Sequence, residues 1–182
     1  MKFFAIVCGI AVLLLGGQGV THAQQQRFTP KSYIREHAPI AQSLMEKSGI
    51  PASVILGIAM LESANGNSRN AHLLNNHFGI VGPNHLDEKN TTYRSRYKGY
   101  TSDEASYQDF CKKIQKKNIY RQLKGKSDYL SWIKGLYSFG YAEAGVVWMQ
   151  RVLRTIRTYD LDQFDQAADE DEDGMPGDVT AK

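Results

Sequence analysis

The chain has 182 residues, of which 42% are hydrophobic and 23% charged, enough apolar content to build one core. Two cysteines, Cys8 and Cys111, exclude a disulfide-stapled scaffold, and five histidines without metal-ligand spacing give no reason to expect a metal or any other cofactor. Net charge is +3, but the basic residues form no compact patch interleaved with aromatics, so nucleic acid is not an expected partner.

Met1-Lys2 is a short positive opening, Phe3 to Leu15 is almost wholly apolar, and Thr21-His22-Ala23 supplies small residues for cleavage before Gln24. The apolar run is shorter than the ~20 residues of a spanning helix. Residues 1–23 are therefore expected to be a cleaved signal peptide, with a periplasmic or secreted product and no stable membrane insertion afterwards. Cys8 leaves with the signal, so Cys111 is the one cysteine of the mature chain. Gln24 to Phe164 holds 20 Lys+Arg and 12 Asp+Glu, a balance of +8. Asp165 to Lys182 holds one Lys and seven acids, a balance of −6. A basic exported body suits an anionic polymer.

Thr29-Pro30 reads as a helix start, and the apolar face of Tyr33, Ile34, Ile40, Ala41, Leu44 and Met45 is interrupted at Pro39. A short helix and a longer one ending at Ser48-Gly49 are predicted. Pro51 then suits a first helical residue, and Val54, Ile55, Ile58, Ala59 and Leu61 recur at helical spacing. A step of about 100° per residue puts Glu62 in the middle of that apolar stripe. A carboxylate so placed loses solvation, which raises its pKa and suits it to protonate a leaving group. Gly66 and its neighbouring Asn residues end the helix.

Ser68 caps a short helix through Leu74, stopped by Asn75-Asn76. His77 suits a packing residue at a helix end better than a base. Gly82-Pro83-Asn84 is a turn, and alternation over Thr92 to Tyr97 predicts a strand, one arm of a small hairpin. Thr101-Ser102-Asp103-Glu104 reads as a capping box opening a helix with Tyr107, Phe110, Cys111 and Ile114 inward and its lysines in solvent. Asp128 caps a helix that buries Leu130, Ile133, Leu136 and Tyr137. Val146 to Tyr159 is a strongly amphipathic last helix, with Trp132 and Trp148 both on core faces. The acidic end (166–182) has the composition of a disordered tail. Its Asp169, Asp171 and Asp173 mimic the start of a calcium loop, but position 12 is Thr180 rather than Glu. The class is mainly α, an α+β arrangement with a minor β element.

Gly49-Ile50-Pro51-Ala52-Ser53, Leu61-Glu62-Ser63 and Asn75-Asn76-His77-Phe78-Gly79-Ile80 resemble the motifs of glycoside hydrolase family 73. These are peptidoglycan N-acetylglucosaminidase domains of the flagellar-muramidase type. Tyr97 to Tyr107 and Gly140-Tyr141-Ala142 match further segments in the same order, and the likeness spans roughly Tyr33 to Asp165. It implies a lysozyme-like helical domain with a small β-hairpin lobe over 24–165, monomeric, acting on peptidoglycan glycan strands at the β-1,4 bond after N-acetylglucosamine. By the same resemblance Glu62 is the general acid and Tyr141 faces it. Asn76, His77, Phe78 and Tyr97 fall in segments that line the sugar groove. Departures are the missing Trp after Leu-Glu-Ser, where Ala64-Asn65 stands, and Glu143-Ala144 after Gly-Tyr-Ala.

Glycoside hydrolysis commonly needs a second carboxylate, ~5–5.5 Å away for retention or ~6.5–9.5 Å for inversion. Asp87 and Glu88 in the expected hairpin are the candidates. Failing both, the substrate's acetamido oxygen can attack the anomeric carbon. Two other readings fit the same residues: a lytic transglycosylase working on one Glu, and a catalytically weak glycan-binding domain.

Overall fold

The computed structural model describes residues 28–89, 91–141 and 143–166. The expected signal peptide, the acidic tail from residue 167 on and its calcium-loop mimic lie outside them. The described chain runs through α1 (Pro30–Ser48), α2 (Ala52–Ser63), α3 (Arg69–Leu74), α4 (Asp103–Gln115), α5 (Asn118–Leu123), α6 (Tyr129–Ser138) and α7 (Gly145–Thr158), with short 3₁₀ turns at Leu86–Lys89 and Leu161–Asp165. The fold is mainly helical, as the periodicity predicts. No helix among the described residues is long and apolar enough to cross a membrane.

α1 begins with a capping box in which Thr29 Oγ1 accepts from the Ser32 N–H at 3.1 Å and Ser32 Oγ accepts from the Thr29 N–H at 2.9 Å. It then runs unbroken through Pro39, where the sequence predicts a break. Pro39 is exposed, so its ring and the carbonyl it leaves unbonded face water, while His37, Ala38, Ala41 and Leu44 keep one continuous buried face. That burial outweighs the ~3 kcal/mol that an interior proline costs.

α2 departs further from the expected amphipathic stripe. Every residue from Ala52 to Met60 is buried, and α1, α6, α7 and the Leu161–Asp165 turn surround the helix. Pro51 stands one position before the helix rather than at its first residue. Gly57 lets α7 approach closely, since a Cβ there would lie 2.8 Å from Ile156 Cγ1. The first turn of α2 is tied to the Leu161–Asp165 turn: Ser53 N–H and Oγ donate to the two Asp165 oxygens at 2.7 and 2.6 Å.

The predicted strand over Thr92 to Tyr97 is not formed. Among the described residues the pairing is a single antiparallel bridge, Val81 with Tyr97. Side-chain amides take over where a ladder would continue. Asn84 Nδ2 donates to the carbonyls of Ser95 and Tyr97, both at 2.8 Å, and Asn76 Nδ2 donates to those of Ile80 at 2.9 Å and Lys98 at 2.8 Å. Backbone groups satisfied by asparagine need no strand neighbour.

Three caps fall close to their predicted places. Ser102, one residue later than expected, caps α4 by accepting from the Ala105 N–H at 3.1 Å. Ser68 caps α3, and Asp128 caps α6 with bonds from the Leu130 and Ser131 N–H groups. Tyr107, Phe110, Cys111 and Ile114 are buried as the pattern predicts, and burial pushes the Cys111 thiol up to about 12. α6 differs by a small rotation: Trp132 is fully buried, Leu130 half-buried and Tyr137 exposed.

Candidate active site

The last turn of α2 emerges from the core beside an open cleft of about 640 Å³. The chain leaves the helix through three successive left-handed residues, Ala64, Asn65 and Gly66, at φ of 53°, 54° and 74°. Gly66 is required there twice over, since a Cβ would meet Tyr33 at 2.9 Å and Phe28 at 3.0 Å. Two non-glycine residues in this region cost on the order of 1 kcal/mol each, a strain that begins two residues after Glu62.

Glu62 is therefore not a core residue carried on a stripe. It is exposed to the cleft at the tip of a buried rod. Its Oε1 accepts a hydrogen bond from Trp148 Nε1 at 2.8 Å. The surrounding wall desolvates the carboxyl and raises its pKa above the ordinary glutamate value, and the Trp148 bond only partly offsets this. No Lys, Arg or His among the described residues lies within ion-pair reach of it.

Below Glu62 an aromatic series floors the cleft. Trp148 and Tyr141 have ring centroids 5.0 Å apart, Tyr141 and Phe110 meet edge-on at 6.2 Å, and Phe110 stacks on Phe78 at 4.2 Å. Burial, then the negative charge of Glu62, push the Tyr141 hydroxyl well above the ordinary tyrosine range, so it stays a neutral donor. Tyr97, Ile80 and Gly79 close one wall and Phe139, Glu143 and Val147 the other.

Of the residues singled out in the sequence, Glu62, Tyr141, Phe78 and Tyr97 line this cleft. Asn76 is buried behind the wall, where its amide holds the loop. His77 is also buried and away from the lining. Its Nε2 lies 2.9 Å from Asp103 Oδ1, and its Nδ1 lies 2.8 Å from the Tyr33 hydroxyl. Asp87 and Glu88 are exposed on the turn beyond and pair with Arg94 at 3.4 Å and His85 at 3.1 Å. Neither lines the cleft; its other carboxylate is Glu143. Trp148, Phe110 and Glu143 were not legible as site residues: two aromatics at helical spacing read as core, and a loop Glu carries no pattern.

The fold also brings together groups that sequence spacing keeps apart. Ligand atoms of His37, His77 and Asp103 lie within 4.8 Å of one another. These atoms are already engaged. Asp103 Oδ2 sits 3.3 Å from His37 Nε2, and His37 Nδ1 donates to the Tyr33 carbonyl at 3.0 Å. Burial pushes the Asp103 carboxyl up, but the hydrogen bonds and charges of the two histidines outweigh it and hold it well below the usual carboxylate range.

The family profile described as glucosaminidase, mannosyl-glycoprotein endo-beta-N-acetylglucosaminidase, matches residues 38–161. The chain belongs to the glucosaminidase family. It is accordingly a glycoside hydrolase, and the match contains α2, the cleft and all of its lining. Solved structures agree on the fold. The catalytic domain of the autolysin Auto from Listeria monocytogenes superposes with a TM-score of 0.63 at 21% identity, covering 78% of this chain and 91% of that one. The glycoside hydrolase domain of Salmonella typhimurium FlgJ gives 0.60 at 20% identity, over 73% of this chain and 89% of that one. An N-acetylmuramoyl-L-alanine amidase from Staphylococcus aureus gives 0.63 at 25% identity over 78% of this glucosaminidase but only 45% of the amidase chain. No curated protein matches the sequence.

Proposed function

We propose that this domain hydrolyses peptidoglycan at the β-1,4 bond after N-acetylglucosamine, with Glu62 as the general acid. The observation that supports this most is a carboxyl with no cation within ion-pair reach among the described residues, lining a cleft of sugar-binding size and bonded to Trp148 at 2.8 Å; partial desolvation by the cleft wall pushes its pKa up. Protonated Glu62 gives its proton to the glycosidic oxygen as the C1–O bond breaks. The acetamido carbonyl oxygen of the same N-acetylglucosamine attacks C1 and takes the developing charge. Water then opens that intermediate at C1, and the Glu62 carboxylate accepts the water's proton. Glu143 is the cleft carboxylate available to orient that water, and Tyr141 a neutral donor for the sugar. Phe78, Phe110 and Tyr97 supply apolar surface for ring faces. The enzyme works as a monomer outside the cytoplasm once residues 1–23 are removed, with residues 24–165 as its catalytic body.

Digestion of purified sacculi tests this reading. Glu62→Gln keeps an acceptor for Trp148 but loses the proton, so turnover should fall on the order of 10²–10⁴-fold. Products should end in reducing N-acetylglucosamine. Terminal 1,6-anhydro sugars would instead establish a lytic transglycosylase, and sedimentation with sacculi without solubilisation a binding domain. Undiminished digestion by Glu62→Gln would remove Glu62 from the chemistry.

A further inference from the structure

The cleft has a second chemical character that proton transfer to a sugar does not use. Lys113 and Lys117 on one wall and Arg151 on the other are exposed and line the same cleft as Glu62. The remaining lysines at the end of α4, Lys112 and Lys116, are also exposed but are not among its lining residues. None of the three forms an ion pair within 4.0 Å among the described residues, although Lys113 adds to the positive field that holds the Asp109 carboxyl down. Nor do they serve the catalytic acid, for none reaches Glu62, and a cation that did would favour its ionised form. Arg151 lies one turn along α7 from Trp148, the residue that holds Glu62. The three cations thus share the cleft with Glu62 without pairing with it.

We propose that Lys113, Lys117 and Arg151 form a subsite for carboxylates on the peptide borne by the glycan strand, so that the enzyme selects glycan whose peptide carboxylates are free over glycan whose peptide carboxylates are blocked. This rests on the peptidoglycan reading above. A bare strand of N-acetylated amino sugars carries no charge along its backbone except on lactyl groups freed by peptide removal. The attached peptide presents free carboxylates several bonds out from the ring, where cations lining the cleft can meet them. Exposed pairs contribute modestly and are screened by salt, so the preference should be a few-fold to about tenfold and should shrink as salt rises.

The experiment compares three substrates: intact sacculi, sacculi whose peptide carboxylates have been amidated, and glycan stripped of peptide. With the wild-type enzyme kcat/KM should fall about threefold to tenfold from intact to amidated material, chiefly through KM. For Lys113→Ala/Lys117→Ala/Arg151→Ala the ratio between those substrates should approach one. The charge-keeping variant Lys113→Arg/Lys117→Arg/Arg151→Lys should retain most of it, which separates charge from packing. An unchanged ratio in the alanine variant, or no wild-type discrimination at all, overturns the proposal while leaving the hydrolase reading intact. Failure of the wild type to cut any of the three substrates defeats the hydrolase reading itself.

Discussion

Replacing Trp148 by Phe deletes one hydrogen bond to Glu62 and leaves a ring in its place. The Nε1–H bond to Oε1, 2.8 Å long, favours the ionised carboxylate and opposes the burial that raises its pKa. Without it the proton should be held more tightly. A hydrogen bond to a charged group contributes about 1.5–3 kcal/mol where water is excluded. Glu62 is exposed to the cleft, so solvent replaces much of the loss, and on the order of 0.5–1 kcal/mol should remain. That corresponds to roughly half a pH unit. Because the acid must be protonated to act, kcat/KM falls as pH rises through its pKa. The alkaline limb of the profile should therefore move upward by about that amount in Trp148→Phe. The assay is kcat/KM against pH on a soluble glycan fragment, with the limb's midpoint as readout. A midpoint is insensitive to the fraction of enzyme that folds, so lost packing against Tyr141 does not confuse it. A limb that stays put or moves down would refute the view that Trp148 tunes the acid.

Tyr141→Phe removes a neutral donor beside Glu62 and should lower kcat/KM about tenfold while moving Tm little, as calorimetry and kinetics on one preparation will show. Asp103→Asn breaks the contacts to His37 and His77; with the Asp103 side chain about one-third exposed (33%), the cost should be about 1–3 kcal/mol and Tm should fall by roughly 5–10 °C at pH 7. The Asp103 carboxyl is held below its unfolded value of 3.8, so its stabilisation is complete above that pH and drains away as pH falls further, and the Tm gap between wild type and variant should narrow at pH 3. Gly57→Ala puts a methyl 2.8 Å from Ile156 Cγ1, and overpacking of about 1–3 kcal/mol should exceed the helix-propensity gain of about 1 kcal/mol; an unchanged or higher Tm would show that α7 yields.

Much of this arrangement was legible in the sequence, for reasons that differ by element. Caps at Thr29, Ser68 and Asp128 are local chemistry and hold in the fold. The break expected at Pro39 failed because a proline's cost depends on whether its face meets water, which one segment cannot reveal. The Thr92 to Tyr97 alternation failed as a strand because the carbonyls of Ser95 and Tyr97 go to the Asn84 side chain, leaving that of Arg96 to the Gly82 N–H, so no ladder runs on. Glu62 stood out for an approximate reason: the pattern showed an acid among apolar residues, but the helix is buried all round and the acid emerges at its end. Trp148 looked like core and is core, at 4% exposure, yet its one polar atom faces Glu62. Periodicity assigns a residue to a face and says nothing about where a single N–H points. Glu143, Lys113, Lys117 and Arg151 meet only through tertiary packing.

Glu62 is carried by the most enclosed segment of the described residues, and the loop from Phe78 to Tyr97 is held by asparagine amides together with a few backbone bonds, Gly82 N–H to the Arg96 carbonyl and Lys98 N–H to that of Ile80 among them. The two jaws of the cleft therefore differ in stiffness. One cannot shift without loosening the whole interior, whereas the other is held by a small set of loop hydrogen bonds, side-chain amide and backbone alike.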